Sequence, residues 1–263
     1  MTQLNYHKKI NKLPPDCTFQ QFRCFRGQLS WITSLTRPDL ACMSAVMSQV
    51  TELTMTIHQV NLANKAVKRL LATPTAGLTF PPLDQDSLRF YVCSDASFAS
   101  NEDESSQLAM VALLADRHGQ ASLIHYKSWK CDRITRSILA AEVHAFAAAF
   151  DFSYTLQQDV NSMLRKEIPL HMFTDSKSLF DTITRLTGLK EKRFLIDVKA
   201  LRQSHKHNEM FNIGHVLSDR NLADPLSKNS NVADIQDLME TGRHTPHVNE
   251  WLITLDDNAT IQP

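Results

Sequence analysis

Four acidic residues stand where packing alone would not place an acid. Asp95 comes directly after the run Phe90-Tyr91-Val92-Cys93-Ser94, and Glu142 interrupts the apolar stretch LAAEVHAFAAAF. Asp175 directly follows LHMFT, and Asp224 sits in NLADPL. They are far apart in the chain, so only the fold can gather them. Carboxylates gathered at one point repel one another. A hard dication such as Mg2+, which takes oxygen ligands and keeps some of its waters, is the natural compensation. Two such ions roughly 4 Å apart can clamp a phosphodiester, activate an attacking water and stabilise the leaving oxygen. Asp95, Glu142, Asp175 and Asp224 are therefore candidate catalytic residues and candidate ligands for two Mg2+ or Mn2+ ions. Each also has a plainer explanation. An aspartate after a strand commonly caps a turn or helix. A glutamate in an apolar helix often lies at its solvent edge, and an aspartate at a helix start complements the dipole. The ordered set carries the reading, not any single member.

To bring these acids together, the strands ending at Asp95 and Asp175 must lie side by side. Their carboxylates then share the edge of the sheet where open α/β folds bind ligands. The hydrophobic pattern supplies such elements. Strands are expected over Leu88–Cys93, Leu108–Ala115 and Ala121–Lys127, with Asp116-Arg117-His118-Gly119 as the turn between the last two. A long helix follows over Ile138–Leu156, with an apolar face at Leu139, Val143, Phe146 and Phe150. Beyond it the pattern predicts a strand at Ile168–Phe173, helices at Ser176–Leu186 and Lys192–His205, and a strand at Met210–Val216. Helical segments begin again at Asn221 and at Val232–Met239. This order implies an α/β fold with a mixed five-stranded sheet and flanking helices.

Before the Pro-rich linker TPTAGLTFPPLDQD (residues 73–86) the chain reads as helical. Phe22–Leu35 and Leu40–Val50 are two helices separated by Arg37-Pro38-Asp39, with Pro38 near the start of the second. From Ile57 onward the apolar residues Val60, Ala63, Val67, Leu70 and Leu71 form one helical face. Four regions are expected: a disordered N-terminus (residues 1–16), a helical segment (17–82), the α/β domain (83–243) and a C-terminal tail (244–263).

The 263 residues carry 28 Lys+Arg against 28 Asp+Glu, a formal net charge of zero. Global charge therefore does not favour nucleic acid, and any such surface must be local. Five cysteines, Cys17, Cys24, Cys42, Cys93 and Cys131, form no CxxC pair. An odd count without a framework points to a reducing, intracellular setting, cytoplasmic or nuclear. His205 and His207 have no Cys pair nearby, which argues against zinc. No signal peptide and no run of roughly 20 apolar residues is visible, so neither secretion nor a membrane is expected.

The motifs also resemble a known family, the C-terminal end of copia-type LTR retrotransposon polyproteins, where the end of reverse transcriptase is followed by ribonuclease H. FRGQLSWITSLTRPDLACMSAVMSQV is similar to the helical segment after the polymerase palm, and NKAVKRLLATPTAGLTF to the connecting helix beyond it. SDASFAS resembles the first ribonuclease H motif, HYKSWKCDRITRSILAAEVHAF the second, FTDSKSLFDTI the third and VLSDRNLADPLSK the last; TGRHTPHVNEW resembles family C-termini. The resemblance spans roughly residues 20–252. It implies a ribonuclease H-like domain preceded by a thumb- or connection-like segment. It also implies hydrolysis of the RNA strand of an RNA–DNA hybrid, with Asp95, Glu142, Asp175 and Asp224 as the metal-binding acids.

The chain departs from the family at several points. Ala140 stands where some members carry a further glutamate, and Pro225 directly follows Asp224. The loop histidine of cellular ribonucleases H is missing, with His215 lying further upstream. Fingers, palm and the paired-aspartate polymerase motif are absent from the sequence, so DNA synthesis is not expected. A polymerase domain on a longer or separate chain is a candidate partner. No small-molecule cofactor or membrane partner is expected.

Lys127, Lys130, Arg133 and Arg136 bunch before the Glu142 helix, with Tyr126 and Trp129 interleaved. Basic groups hold phosphates and aromatics pack on sugars or bases, so Lys127, Trp129, Lys130, Arg133 and Arg136 are candidate nucleic-acid contacts. Ser94, Ser176 and Lys177 flank the acids and are candidates too. Recognition would follow hybrid shape rather than sequence. The same tract is also compatible with a merely solvated loop. Two other functions compete: a catalytically weak retroelement remnant that at most binds nucleic acid or protein, and another ribonuclease H-fold nuclease such as a transposase or integrase.

Overall fold

The computed structural model describes residues 9–184 and 194–252. Three helices come first: α1 (Phe19–Thr33), α2 (Ala41–Ser48) and α3 (Ile57–Ala72). Local chemistry fixes their starts. Thr18 and Gln21 form a capping box on α1, and Thr56 and Gln59 form one on α3. Pro38 opens a 3-10 turn, Pro38–Leu40, that runs straight into α2. Phe22, Phe25, Leu29, Met43, Met47, Val67 and Leu70 fill a small core of their own.

The second unit contains β1 (Arg89–Ser97), β2 (Gln107–Ala115), β3 (Ala121–Lys130), α4 (Ile138–Leu164), β4 (Leu170–Thr174), α5 (Lys177–Thr184), α6 (Leu195–Lys206), β5 (Asn212–Val216), α7 (Asp224–Ser227), α8 (Ala233–Thr241) and β6 (Val248–Trp251). The strands form one sheet in the order β3-β2-β1-β4-β5-β6. β1, β2 and β3 pair antiparallel, β1, β4 and β5 pair parallel, and β6 returns antiparallel on β5. Helices cover both faces, so the class is α/β with a mixed sheet. On one face Phe90, Val92, Met110 and Met172 pack under Val143, Phe146 and Phe150 of α4. On the other face Tyr91, Cys93, Val111 and Phe173 meet Leu222, Leu226 and Ile235.

The sheet has six strands, not five. β6 lies in the stretch expected as a tail, because its sequence VNEW is short, polar and at the sheet edge, so no apolar period announces it. β5 carries Gly214 because it passes directly over Phe173: a Cβ there would come within 2.8 Å of that ring. Strand β1 runs on past Cys93, so Asp95 lies within it rather than after it, and β3 continues to Lys130. Helix α4 extends beyond Leu156 to Leu164 although the added residues are largely polar. Two of them explain why: Gln157 donates to the Ile168 carbonyl, and Asn161 Oδ1 accepts from the Ile168 amide at 3.1 Å. They tie the helix to the lead-in of β4. The helical segment expected from Asn221 is the single turn α7, since Lys228 is already extended.

The N-terminal lead is not free from residue 10 onward. Ile10 is buried, and Leu13 and Asn64 exchange two 2.8 Å hydrogen bonds. Residues 1–8 and 253–263 of the expected N-terminus and tail lie outside the described residues. So do residues 185–186 and 192–193 of the expected helices.

The helical unit is fastened to the back of the sheet, where α2 packs on β3 and α7. Arg37 and Asp39 of the TRPD tract form a buried, two-pronged ion pair, with both N–H···O distances 2.8 Å. Arg37 also donates to the Thr73 hydroxyl at 2.8 Å, and the Asp39 carbonyl accepts from Arg69 at 2.9 Å. This pair locks α2 to the end of α3.

Candidate active site

The pairing of β1 with β4 puts Cys93 opposite Phe173. Two residues further along, Asp95 within β1 and Asp175 just past the end of β4 therefore come to about the same level. α7 crosses beneath them and brings Asp224. One carboxylate oxygen from each of Asp95, Asp175 and Asp224 lies within 4.8 Å of the others. Glu142 reaches the same groove from α4, together with Asp95 and Asp175, but stands outside that tight triad. Asp95 and Glu142 are buried, at 2% and 5% exposure.

The electrostatics follow from this crowding. Burial pushes the Glu142 carboxyl up to about 9, and the charges of Asp95 and Asp175 add to it, against Lys228 and a backbone hydrogen bond from Ala96. Burial, then Asp175, pushes Asp95 up to about 7, against the Ser227 hydroxyl and Lys228. Glu142 Oε2 is buried with no hydrogen-bond partner among the described residues. Buried polar atoms are rarely left so. Hard oxygen donors, a tight triad and an orphaned carboxylate oxygen together fit a divalent cation such as Mg2+ or Mn2+.

Several residues that orient the acids were not singled out from sequence. Asn221 Nδ2 donates to Asp175 Oδ1 at 3.1 Å and to the Ser94 carbonyl at 2.9 Å, bridging β1 and β4. The Ser227 hydroxyl donates to Asp95 Oδ2. Lys228 Nζ pairs with Asp224 Oδ1 at 2.5 Å, and Ser230 donates to Asp224 Oδ2 at 2.5 Å. All four belong to the segment NLADPLSKNS. For Asn221, Ser227 and Lys228, a position about one turn from Asp224 is the signal that could have found them; Ser230 lies six residues on and carries no such signal. His215 is also close: its Nε2 donates to the Asp175 carbonyl at 3.2 Å, which turns the ring to the backbone.

The expected nucleic-acid contacts separate into groups. Arg133 and Arg136 are exposed on the loop entering α4, and Lys127 is exposed on β3. Across the register Ser94, Met110 and Lys127 are level, so Lys127 stands two strands from the acids, roughly 10 Å at the usual strand spacing. Lys130 is on β3 rather than in a loop and pairs with Asp103. Trp129 shares a face with Leu108 and Ala96 and packs against the foot of α4, so much of its ring is core; Lys127 Nζ lies 5.2 Å from the ring centre. Ser176 and Lys177 line the groove. Ser176 caps α5 through the Leu179 amide, and Lys177 pairs with Asp181 at 3.1 Å and with Glu250 of β6. Ser94 must be withdrawn as a substrate contact. Strand alternation turns it away from Asp95, and it is fully buried.

No known family's sequence profile matches this chain, and neither does any curated protein. Among solved structures, it is similar to LC11-RNase H1 isolated from compost by a metagenomic approach: 15% identity, 56% of this chain and 97% of that one, TM-score 0.41. It is similar to RNase H1 from the halophilic archaeon Halobacterium salinarum at 16% identity, covering 56% and 98%, TM-score 0.39. The prototype foamy virus protease-reverse transcriptase shares 14% identity over 62% of this chain and 21% of that chain, TM-score 0.35. At such identities no residue role is carried across from these proteins. No described helix is long and apolar enough to cross a membrane.

Proposed function

We propose that this chain is a metal-dependent endonuclease that hydrolyses the RNA strand of RNA–DNA hybrids, the ribonuclease H of a copia-type retroelement. The observation that carries the reading is the triad Asp95, Asp175 and Asp224 within 4.8 Å, with the buried, unpartnered Glu142 Oε2 facing the same groove. These four acids would hold two Mg2+ or Mn2+ ions, which when bound supply Lewis acidity and lower the pKa of a bound water.

The remaining work falls to the protein's own groups. Asn221 holds the Asp175 carboxylate toward Asp95, and Ser227 fixes the Asp95 rotamer, so the acids are set before substrate arrives. The exposed Lys127, Arg133 and Arg136, on β3 and the loop entering α4, would hold phosphates beside the groove and form a local basic surface within a chain of zero net charge. Recognition would follow hybrid shape and ribose 2′-hydroxyls rather than base sequence. A reverse transcriptase polymerase domain, on a longer or separate chain, is the partner that would deliver the hybrid.

The test is cleavage of an end-labelled RNA strand annealed to DNA, with Mg2+, Mn2+ or chelator, by the native chain and by Asp175→Asn. We expect metal-dependent cleavage that disappears in the variant while its circular dichroism is unchanged. Absence of cleavage by folded native protein in both metals would refute the assignment and favour a retroelement remnant.

A further inference from the structure

Lys228 occupies an unusual place. It follows the single turn α7 by one residue, and its Nζ rests 2.5 Å from Asp224 Oδ1. The other oxygen, Asp224 Oδ2, accepts from Ser230 at 2.5 Å. Both oxygens of Asp224 are therefore engaged, yet one of them belongs to the triad of oxygens within 4.8 Å. The same ammonium lines the groove with Asp95, Glu142 and Asp175. Asp224 is largely enclosed, its side chain 14% exposed, whereas the Lys228 side chain is 48% exposed. A half-exposed lysine on a flexible four-carbon stem can leave its partner at little cost.

We propose that Lys228 is the built-in counter-ion of this acid cluster, seated on Asp224 in the metal-free protein and displaced when a dication binds on the Asp224 side. The inference rests on the metal-site reading above and adds to it a competitor for the metal within the chain. A dication on Asp224 Oδ1 would have to compete with the ammonium already seated there, since a unit charge a few ångströms away opposes the entry of a second one. Because solvent reaches the half-exposed Lys228, the effective dielectric is close to that of water, and removing that charge should tighten metal binding by on the order of tenfold. Lys228 thus sets a metal threshold: the groove is neutralised while metal is scarce and opens to catalysis only when metal outcompetes the ammonium.

The experiment is a titration of the full chain with MnCl2, following free Mn2+ by its paramagnetic resonance signal, for the native protein, Lys228→Gln and Lys228→Arg. We expect Lys228→Gln to bind Mn2+ about tenfold more tightly and Lys228→Arg, which keeps the charge, to bind no more tightly than native. Native binding with Lys228→Gln unchanged or weaker would overturn the inference and leave the metal site standing. Tightening in both variants would overturn it too, because the charge would not be the cause. If the native protein itself shows no saturable Mn2+ binding, the metal-site reading fails first and this inference with it.

Discussion

Glu142 is a buried acid with an unpartnered oxygen, and the cost of that burial to the metal-free fold can be worked out. Burial, and then the charges of Asp95 and Asp175, push its carboxyl from an ordinary value of 4.5 up to about 9 in the folded chain. A carboxylate raised in this way stabilises nothing above its unfolded pKa. The unfolded chain releases the proton from pH 4.5 upward while the folded chain still holds it, so stability is fully present below about 4.5. It falls as pH rises toward about 9. At pH 7.5 the gap is about 3 units, which at roughly 1.4 kcal/mol per unit is about 4 kcal/mol. Glutamine mimics the protonated acid at all pH values and removes this penalty. In chelator, Glu142→Gln should therefore be more stable than native by about 1 kcal/mol at pH 5.5 and by about 4 kcal/mol at pH 7.5. Urea unfolding at the two pH values, with tryptophan fluorescence as the probe, measures both gaps. Saturating Mg2+ should shrink or reverse the difference at pH 7.5, because only native Glu142 gains from the ion. If Glu142→Gln in chelator is no more stable than native, or if its advantage does not grow with pH, the picture of a strained, metal-awaiting carboxyl is wrong.

Two further consequences concern the scaffold. Asp39→Asn should strand the buried Arg37 guanidinium without a counter-charge and lower stability by roughly 3–5 kcal/mol, read as a lower urea midpoint; a shift below about 1 kcal/mol, the range of exposed pairs, would show that solvent reaches the pair. His171 is enclosed by Tyr91, Phe211 and Trp251, and burial, aided by the charge of Arg89, holds its pKa down to about 4. Here the folded chain resists protonation, so stability is intact above pH 6.5 and falls as pH drops toward 4, by about 3 kcal/mol; in His171→Phe that part of the acid loss should vanish, and identical pH profiles for the two proteins would contradict the assignment.

Much of the frame was readable because it rests on local rules. The apolar periods of β1, β2, β4 and α4 are strong, and Thr18, Thr56 and Ser137 sit at helix starts with side chains that cap them. Acids at the ends of apolar strands led to Asp95 and Asp175. What escaped depended on tertiary geometry. β6 is four residues, only two of them apolar, placed by pairing with β5 rather than by any period of their own. The extension of α4 relies on Gln157 and Asn161 bonding to Ile168, a contact with no sequence period. Trp129 looked like a substrate platform, but the level of Leu108 and Ala96 beside it makes it partly core. Ser94 is the miss that alternation alone could have prevented, since two adjacent residues of a strand cannot both face the acids.

The chain handles buried charge in two opposite ways, and the contrast locates where it is built to change state. Arg37 and Asp39 are matched prong for prong, nearly solvent-free and further bonded to Thr73 and Arg69, so neither charge has anything to gain from an outside partner. Asp95, Glu142, Asp175 and Asp224 have no such internal match. Their balance is made up by protons on Glu142 and Asp95, by hydroxyls from Ser227 and Ser230, and by one half-exposed lysine. Each of these compensations is exchangeable: protons leave, hydroxyls rotate and the lysine stem swings. A fold that satisfies one buried ion pair so fully, and leaves Glu142 Oε2 unpartnered among the described residues, has concentrated its unmet demand for positive charge at the acid cluster. That demand is what a dication would meet, and it is why the acids should cost stability in chelator, whereas the TRPD pair is already matched.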